Sequence, residues 1–174
     1  WFRAALNSRC GDEELVHEAL IKVNQWLDVD ERDCQAQLYR YMLTFMRAYD
    51  SDTSAESRLK EYRQALQSAS RHITRNTDTK FILTHGSGLQ RLSARLFSMT
   101  DADEARKNLL PVTGRLERKK NRSEATIRSY GIEVFFNPLH TSGTIRDDHF
   151  ESKALVTYGV LFSYDGPRAY DASV

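Results

Sequence analysis

The sequence predicts an α+β chain in which an antiparallel helical segment precedes a small five-stranded β-barrel. Three observations predict it. Apolar residues recur at three- and four-residue spacing through the first 79 positions. The apolar period falls to two beyond Pro111. No strand–helix–strand alternation appears in the second half, which excludes a doubly wound nucleotide-binding sheet there. The length of 174 residues allows one large domain or two small ones with real cores. With 40% hydrophobic and 28% charged residues, the composition is that of a folded chain and not of a disordered tail.

The first predicted helix carries Leu15, Val16, Ala19, Leu20, Val23, Trp26 and Leu27 on one face. Asp12 suits its N-cap, and Glu13 and Glu14 complement the helix dipole. A second helix starts near Asp33 and places Leu38, Met42, Phe45, Met46 and Tyr49 on its buried side, until Asp50-Ser51-Asp52 breaks it. Thr53 with Glu56 makes a capping-box pattern for a third helix, whose stripe is Leu59, Tyr62, Leu66, Ala69 and Ile73. Short connections between helices of this length imply antiparallel hairpins, of which tetratricopeptide-like (TPR-like) pairs are one form. Residues 1–79 are therefore read as TPR-like hairpins, although no 34-residue repeat stands out.

Residues 80–110 form a linking segment. Phe81-Ile82-Leu83 suits a short strand or an extended anchor, Gly86-Ser87-Gly88 a turn, and Leu89 to Leu96 a short helix or the entry to the barrel. Asp101 to Leu110 reads as an acidic helical stretch. In the barrel region, 111–174, the strands are read around Val112-Gly114-Leu116, around Ala125-Ile127, from Ile132 to Phe136, from Ala154 to Phe162 and from Arg168 to Ala172. Five short strands in so few residues suit a Greek-key barrel of the oligonucleotide-binding (OB) type better than a sandwich.

Bulk properties narrow the setting. No apolar run approaches membrane-spanning length, and no charged-then-apolar amino-terminal segment suggests secretion. The chain opens at Trp1, which suits a piece of a longer protein. Cys10 and Cys34 fit two free thiols in a reducing compartment better than one isolated disulfide, so the expected location is the cytoplasm.

The candidate binding surface is the basic turn formed by Arg115, Arg118, Lys119, Lys120, Arg122 and Arg128, interrupted by Glu117 and Glu124. In an OB-like barrel this is the first strand-to-strand loop, one of two loops that such folds turn toward oligonucleotides. Tyr130, Phe135, Phe136, Tyr158 and Tyr164 are candidate stacking faces, although alternation lets only one of Phe135 and Phe136 face outward. The residues assigned to nucleic acid are Arg118, Lys119, Lys120, Arg122, Arg128, Tyr164 and Arg168. The competing reading is a solvated hairpin tip over aromatic core residues.

No catalytic or metal site is expected, and no cofactor. His140, Asp147, Asp148 and His149 share one loop but lack a ligand spacing such as H-E-x-x-H. Gly86-Ser87-Gly88 is not a nucleophile elbow, no phosphate-cradling glycine loop occurs, and Met42 with Met46 reads as core filling.

The last strands, Val156-Thr157-Tyr158-Gly159-Val160-Leu161-Phe162-Ser163 and Gly166-Pro167-Arg168-Ala169-Tyr170-Asp171, resemble the carboxyl end of the sterile-alpha-motif antiviral proteins, which are large cytosolic STAND-type NTPases. Phe81 to Leu96 is similar to the glycine-rich link that this family places before its terminal barrel, and Leu38 to Tyr49 with Ala55 to Tyr62 is similar to the helical pair before that link. Thr84 and His85 stand where glycine and lysine are expected, and Asp165 stands where a basic residue is expected. The resemblance implies a non-catalytic regulatory tail that senses a ligand or restrains other domains of the same chain. The partners it leaves open are RNA or single-stranded DNA, or a protein surface. A stand-alone single-stranded nucleic-acid binder is the other function these residues suit, and a hydrolase using His140 and Asp147 is the contrast case.

Overall fold

The structure, a computed structural model, describes residues 13–49, 55–72, 80–84, 88–92, 111–121, 123–138, 145–163 and 166–174. The chain divides into two compact units, Trp1–Asp78 and Thr79–Val174. The architecture is α+β, with helices first and a closed five-stranded barrel after them.

The first unit contains α1 (Glu13–Val29), α2 (Cys34–Tyr49) and α3 (Ala55–His72). Helix α1 buries Val16, Ala19, Leu20, Val23 and Leu27, the face its periodicity predicts, with Leu15 and Trp26 half-buried at the flanks. Asp33 caps α2, its Oδ1 accepting the Ala36 N–H at 2.8 Å. Helix α2 packs against both α1 and α3. It consequently buries far more than one stripe, adding Ala36, Tyr41, Leu43 and Ala48 to the predicted Leu38, Met42, Phe45 and Met46. Two polar side chains caught in this position bond locally, although Gln37 Oε1 finds no partner among the described residues. Thr44 Oγ1 donates to the Arg40 carbonyl at 2.9 Å, and Gln37 Nε2 donates to the Glu31 carbonyl at 2.7 Å.

End-to-end contacts set the antiparallel order. The Cys34 thiol at the start of α2 meets the His72 carbonyl at the end of α3 at 3.2 Å, and Arg47 pairs with Glu61 at 3.3 Å. Arg58 joins Glu13, bringing the starts of α1 and α3 together. The buried line of α3 runs through Tyr62, Ala65 and Ala69, whereas the predicted Leu59 and Leu66 are half-buried. Small alanines on that line let α3 approach α2 closely enough for the Tyr62 ring to lie 5.9 Å from both Tyr41 and Phe45. Tyr49, expected inside, is half-buried against Phe45. The predicted signals at Asp12, Asp50-Ser51-Asp52, Thr53 and Ile73 fall outside the described residues.

The second unit opens with an antiparallel hairpin, β1 (Lys80–Thr84) and β2 (Gly88–Leu92), in the register Lys80↔Leu92 to Thr84↔Gly88. Of the two readings for the segment after Gly86-Ser87-Gly88, the structure therefore has a strand and not a helix at its start. The acidic stretch Asp101 to Leu110 lies outside the described residues.

The barrel comprises β3 (Pro111–Lys119), β4 (Ala125–Ser129), β5 (Ile132–Phe136), β6 (Leu155–Ser163) and β7 (Gly166–Ser173), with the short helix α4 (Asp147–Glu151) between β5 and β6. Its strand order is β3-β4-β5-β7-β6, closed by pairing of β6 with β3. All neighbours are antiparallel except β5 and β7. A three-strand meander whose last two strands close back on it is the Greek-key arrangement of an OB-like barrel. Alternation directs Val112, Leu116, Ile127, Val134, Phe136, Val156, Tyr158 and Val160 into the core. Phe150 of α4 stacks on Phe136 at 6.2 Å, which covers one end of that core with an aromatic pair.

The β4–β5 hairpin turns through two residues, Tyr130 (φ 47°) and Gly131 (φ 85°), both in the left-handed region as a type I′ turn requires. Gly131 adopts this at no steric cost, whereas Tyr130, 53% exposed, does so with a bulky side chain. Tyr130→Asn is expected to stabilise the barrel by about 1 kcal/mol, because asparagine enters this region more readily. Urea unfolding followed by circular dichroism checks it; an unchanged or lower midpoint contradicts it.

Candidate nucleic-acid interface

The outer face of β4, β5 and β7 carries a cross-strand row. Register pairs Arg118 of β3 with Thr126 of β4, Thr126 with Phe135 of β5, and Phe135 with Arg168 of β7. The row follows from one alternation: Phe136 turns inward and is 6% exposed, so Phe135 points out and is half-buried. A bulge in β3 between Leu116 and Arg118 brings Arg118 into line. Thr126 is buried beneath the row, with its hydroxyl donating to the Arg118 carbonyl at 3.2 Å.

The turn between β3 and β4 adds a fifth member. The N–H groups of Lys120 and Asn121 both donate to the Glu124 carbonyl, at 3.0 and 3.3 Å. Asn121 Oδ1 accepts from the N–H and the hydroxyl of Ser123, each at 2.9 Å, a side-chain bond that tightens the turn. This folds Lys120 back so that its ammonium lies 4.8 Å from the centre of the Phe135 ring, in cation–π range. A cleft of about 520 Å³ opens here, lined by Lys120, Ser123, Glu124, Phe135, Asn137 and Arg168 among others. A larger groove of about 720 Å³ runs along α3 past Lys60, Arg63, Gln67 and Ser70, but none of the described residues lining it is aromatic.

The residues assigned to nucleic acid therefore divide into sets. Lys120 and Arg168 line the cleft with Phe135, while Arg118 stands two strands away in the same row. Lys119 turns the other way, pairing with Asp147 at the start of α4 and lying 5.5 Å from the Phe150 ring. Arg128 is held by Glu117 at 2.8 Å and Glu133 at 3.5 Å. These exposed pairs add little stability, and they neutralise two of the cations that make the turn look uniformly basic. Arg122 and Tyr164 lie outside the described residues. Arg115 is exposed opposite Arg128.

The stacking candidates divide too. Tyr158 is 2% exposed and its hydroxyl lies 2.7 Å from Ser129 Oγ, so it belongs to the core together with Phe136. Tyr130 stands at the hairpin tip. Phe135 and Phe136 both line the cleft, and Phe135 is the one on the outer face. Ser123 and Asn137, which the sequence did not single out, enter the site because the barrel curls their segments beside Phe135.

Around α4 the polar groups are committed to structure. The Arg146 N–H donates to His149 Nδ1 at 3.2 Å, Arg146 pairs with Asp148 at 3.3 Å, and Asp147 pairs with Lys119. His140 and Cys10 lie outside the described residues, while Cys34 is a free, exposed thiol. Among the described residues no cluster of three metal-ligating side chains occurs, and no helix is long and apolar enough to cross a membrane. The chain matches no protein-family model, no curated protein and no solved structure, so the site is read from its geometry and chemistry alone.

Proposed function

We propose that this chain is a non-catalytic binding module that takes single-stranded nucleic acid on the outer face of its barrel, as the regulatory tail of a larger cytosolic antiviral NTPase of the STAND type. The observation that carries the binding reading is the row Arg118–Thr126–Phe135–Arg168 with Lys120 over the ring. A half-buried outward-facing aromatic ring beside cations suits an unpaired base and its phosphates, and OB-like barrels bind oligonucleotides on this strand face and adjoining loop. The tail assignment rests on the sequence resemblance in the carboxyl-terminal strands.

The expected binding is modestly salt-dependent. Each phosphate neutralised on a single strand contributes about −0.7 to the slope of log K against log salt, so three cations give a slope of about −2. All six basic residues first assigned to the surface, acting together, would give about −4. Fluorescence anisotropy with labelled single-stranded RNA and DNA over a salt series reads the slope directly. Lys120→Ala combined with Arg168→Ala should remove most of it, and Lys119→Ala should leave it almost unchanged. Loss of binding in Lys119→Ala would place the interface beside α4 instead, and a complete lack of binding at low salt would favour a protein-docking surface.

A further inference from the structure

Resting on the nucleic-acid reading above, we infer that the cleft beside Phe135 selects a base whose pairing edge donates hydrogen bonds, guanine first, and disfavours uracil and thymine.

Phe135 offers a stacking face that every base can use, so selection must come from the polar groups around it. Among the described residues, Glu124 is the acidic one lining the cleft. Its backbone carbonyl is already taken by the Lys120 and Asn121 N–H groups, at 3.0 and 3.3 Å. That bonding fixes its position at the cleft and leaves the carboxylate as its acceptor for a ligand. Among the described residues no cation forms an ion pair with this carboxylate, whereas Glu117 and Glu133 on the same sheet are both engaged by Arg128. Ser123 Oγ is directed onto Asn121 Oδ1 at 2.9 Å, so the hydroxyl can accept but its proton is committed.

An ionised carboxylate only accepts hydrogen bonds. Guanine presents a ring N–H and an amino group side by side, matching the two carboxylate oxygens. Adenine and cytosine each present one amino group beside an unprotonated ring nitrogen, so one oxygen gains a partner and the other faces a lone pair. Uracil and thymine present a single N–H between two carbonyls, both repelled. The expected order is therefore guanine, then adenine and cytosine, then uracil. Lys120 and Arg168, at the same cleft, hold the phosphates and carry no base preference.

The test uses the full chain and eight-nucleotide uridine strands, made as RNA and as DNA, with one central position changed to guanine, adenine, cytosine or left as uracil. Lithium buffer keeps guanine strands from associating. A paired edge contact predicts about tenfold tighter binding for the guanine strand than for the all-uridine strand. Glu124→Gln should bring that ratio to within about twofold, because the amide can donate to a uracil carbonyl as well as accept from its N–H. Because the turn is bonded through the Glu124 backbone, the variant should keep the wild-type circular dichroism spectrum. Equal affinity for all four strands, with salt-sensitive binding retained, overturns the selectivity and leaves the binding module standing. A guanine preference that persists in Glu124→Gln overturns the role given to this carboxylate. Failure of every strand to bind at low salt removes the nucleic-acid reading and this inference with it.

Discussion

Gly114→Val is expected to abolish the native barrel, and even Gly114→Ala is expected to cost about 3 kcal/mol or more. A Cβ built at this position would lie 2.3 Å from Ser129 Oγ, 2.5 Å from Ile127 Cγ2 and 2.9 Å from the Arg128 carbonyl. The last of these is backbone and the other two belong to core residues of β4, so no flexible side-chain end can move aside. The clash also falls on a polar linkage, since Ser129 Oγ donates to the Thr113 carbonyl at 2.6 Å while lying 2.7 Å from the Tyr158 hydroxyl. Displacing Ser129 would strand buried polar groups of three strands together, a further cost on top of the steric one. Amide hydrogen exchange of β3, β4 and β6 measures the outcome, and protection equal to wild type would show that this close approach is relaxed in the native state.

Phe45→Ala should be the most damaging single truncation in the helical unit, at about 3–5 kcal/mol. Phe45 is fully buried in the C-terminal half of α2, edge-on to Tyr62 at 5.9 Å and stacked with Tyr49 at 6.2 Å. Removing it opens a cavity between α2 and α3 and deletes two aromatic contacts. Both tryptophans of the chain, Trp1 and Trp26, belong to this unit, so tryptophan emission during urea unfolding reports on it directly. A midpoint within the error of wild type would mean that the tyrosines collapse into the space.

Periodicity made most of the architecture legible. The stripe of α1 and the five barrel strands stand out because each has one solvated face. Helix α2 was harder, because a helix covered on two sides has no polar face to mark its orientation, and Gln37 and Thr44 disguise the burial. In α3 the buried line moved onto Ala65, a residue that hydrophobicity ranks low and that is inside because it is small.

The site was half legible. The basic turn is plain in the sequence, but which cations stay with Phe135 depends on partners set by barrel register. Lys119 meets Asp147 across 28 positions of chain, and Arg128 meets Glu117 and Glu133 only once β3, β4 and β5 are aligned. Tyr158 was offered as a stacking face because it is aromatic, and it lies inside because alternation along β6 puts it between Val156 and Val160.

The most direct test of the central claim is photo-cross-linking of a single-stranded oligonucleotide to the full chain, followed by peptide mapping. The account predicts adducts at Phe135 and in the turn from Lys120 to Glu124, lost in Phe135→Ala. Adducts confined to α1–α3, or to the Tyr130 hairpin tip with Phe135 unmodified, would contradict it.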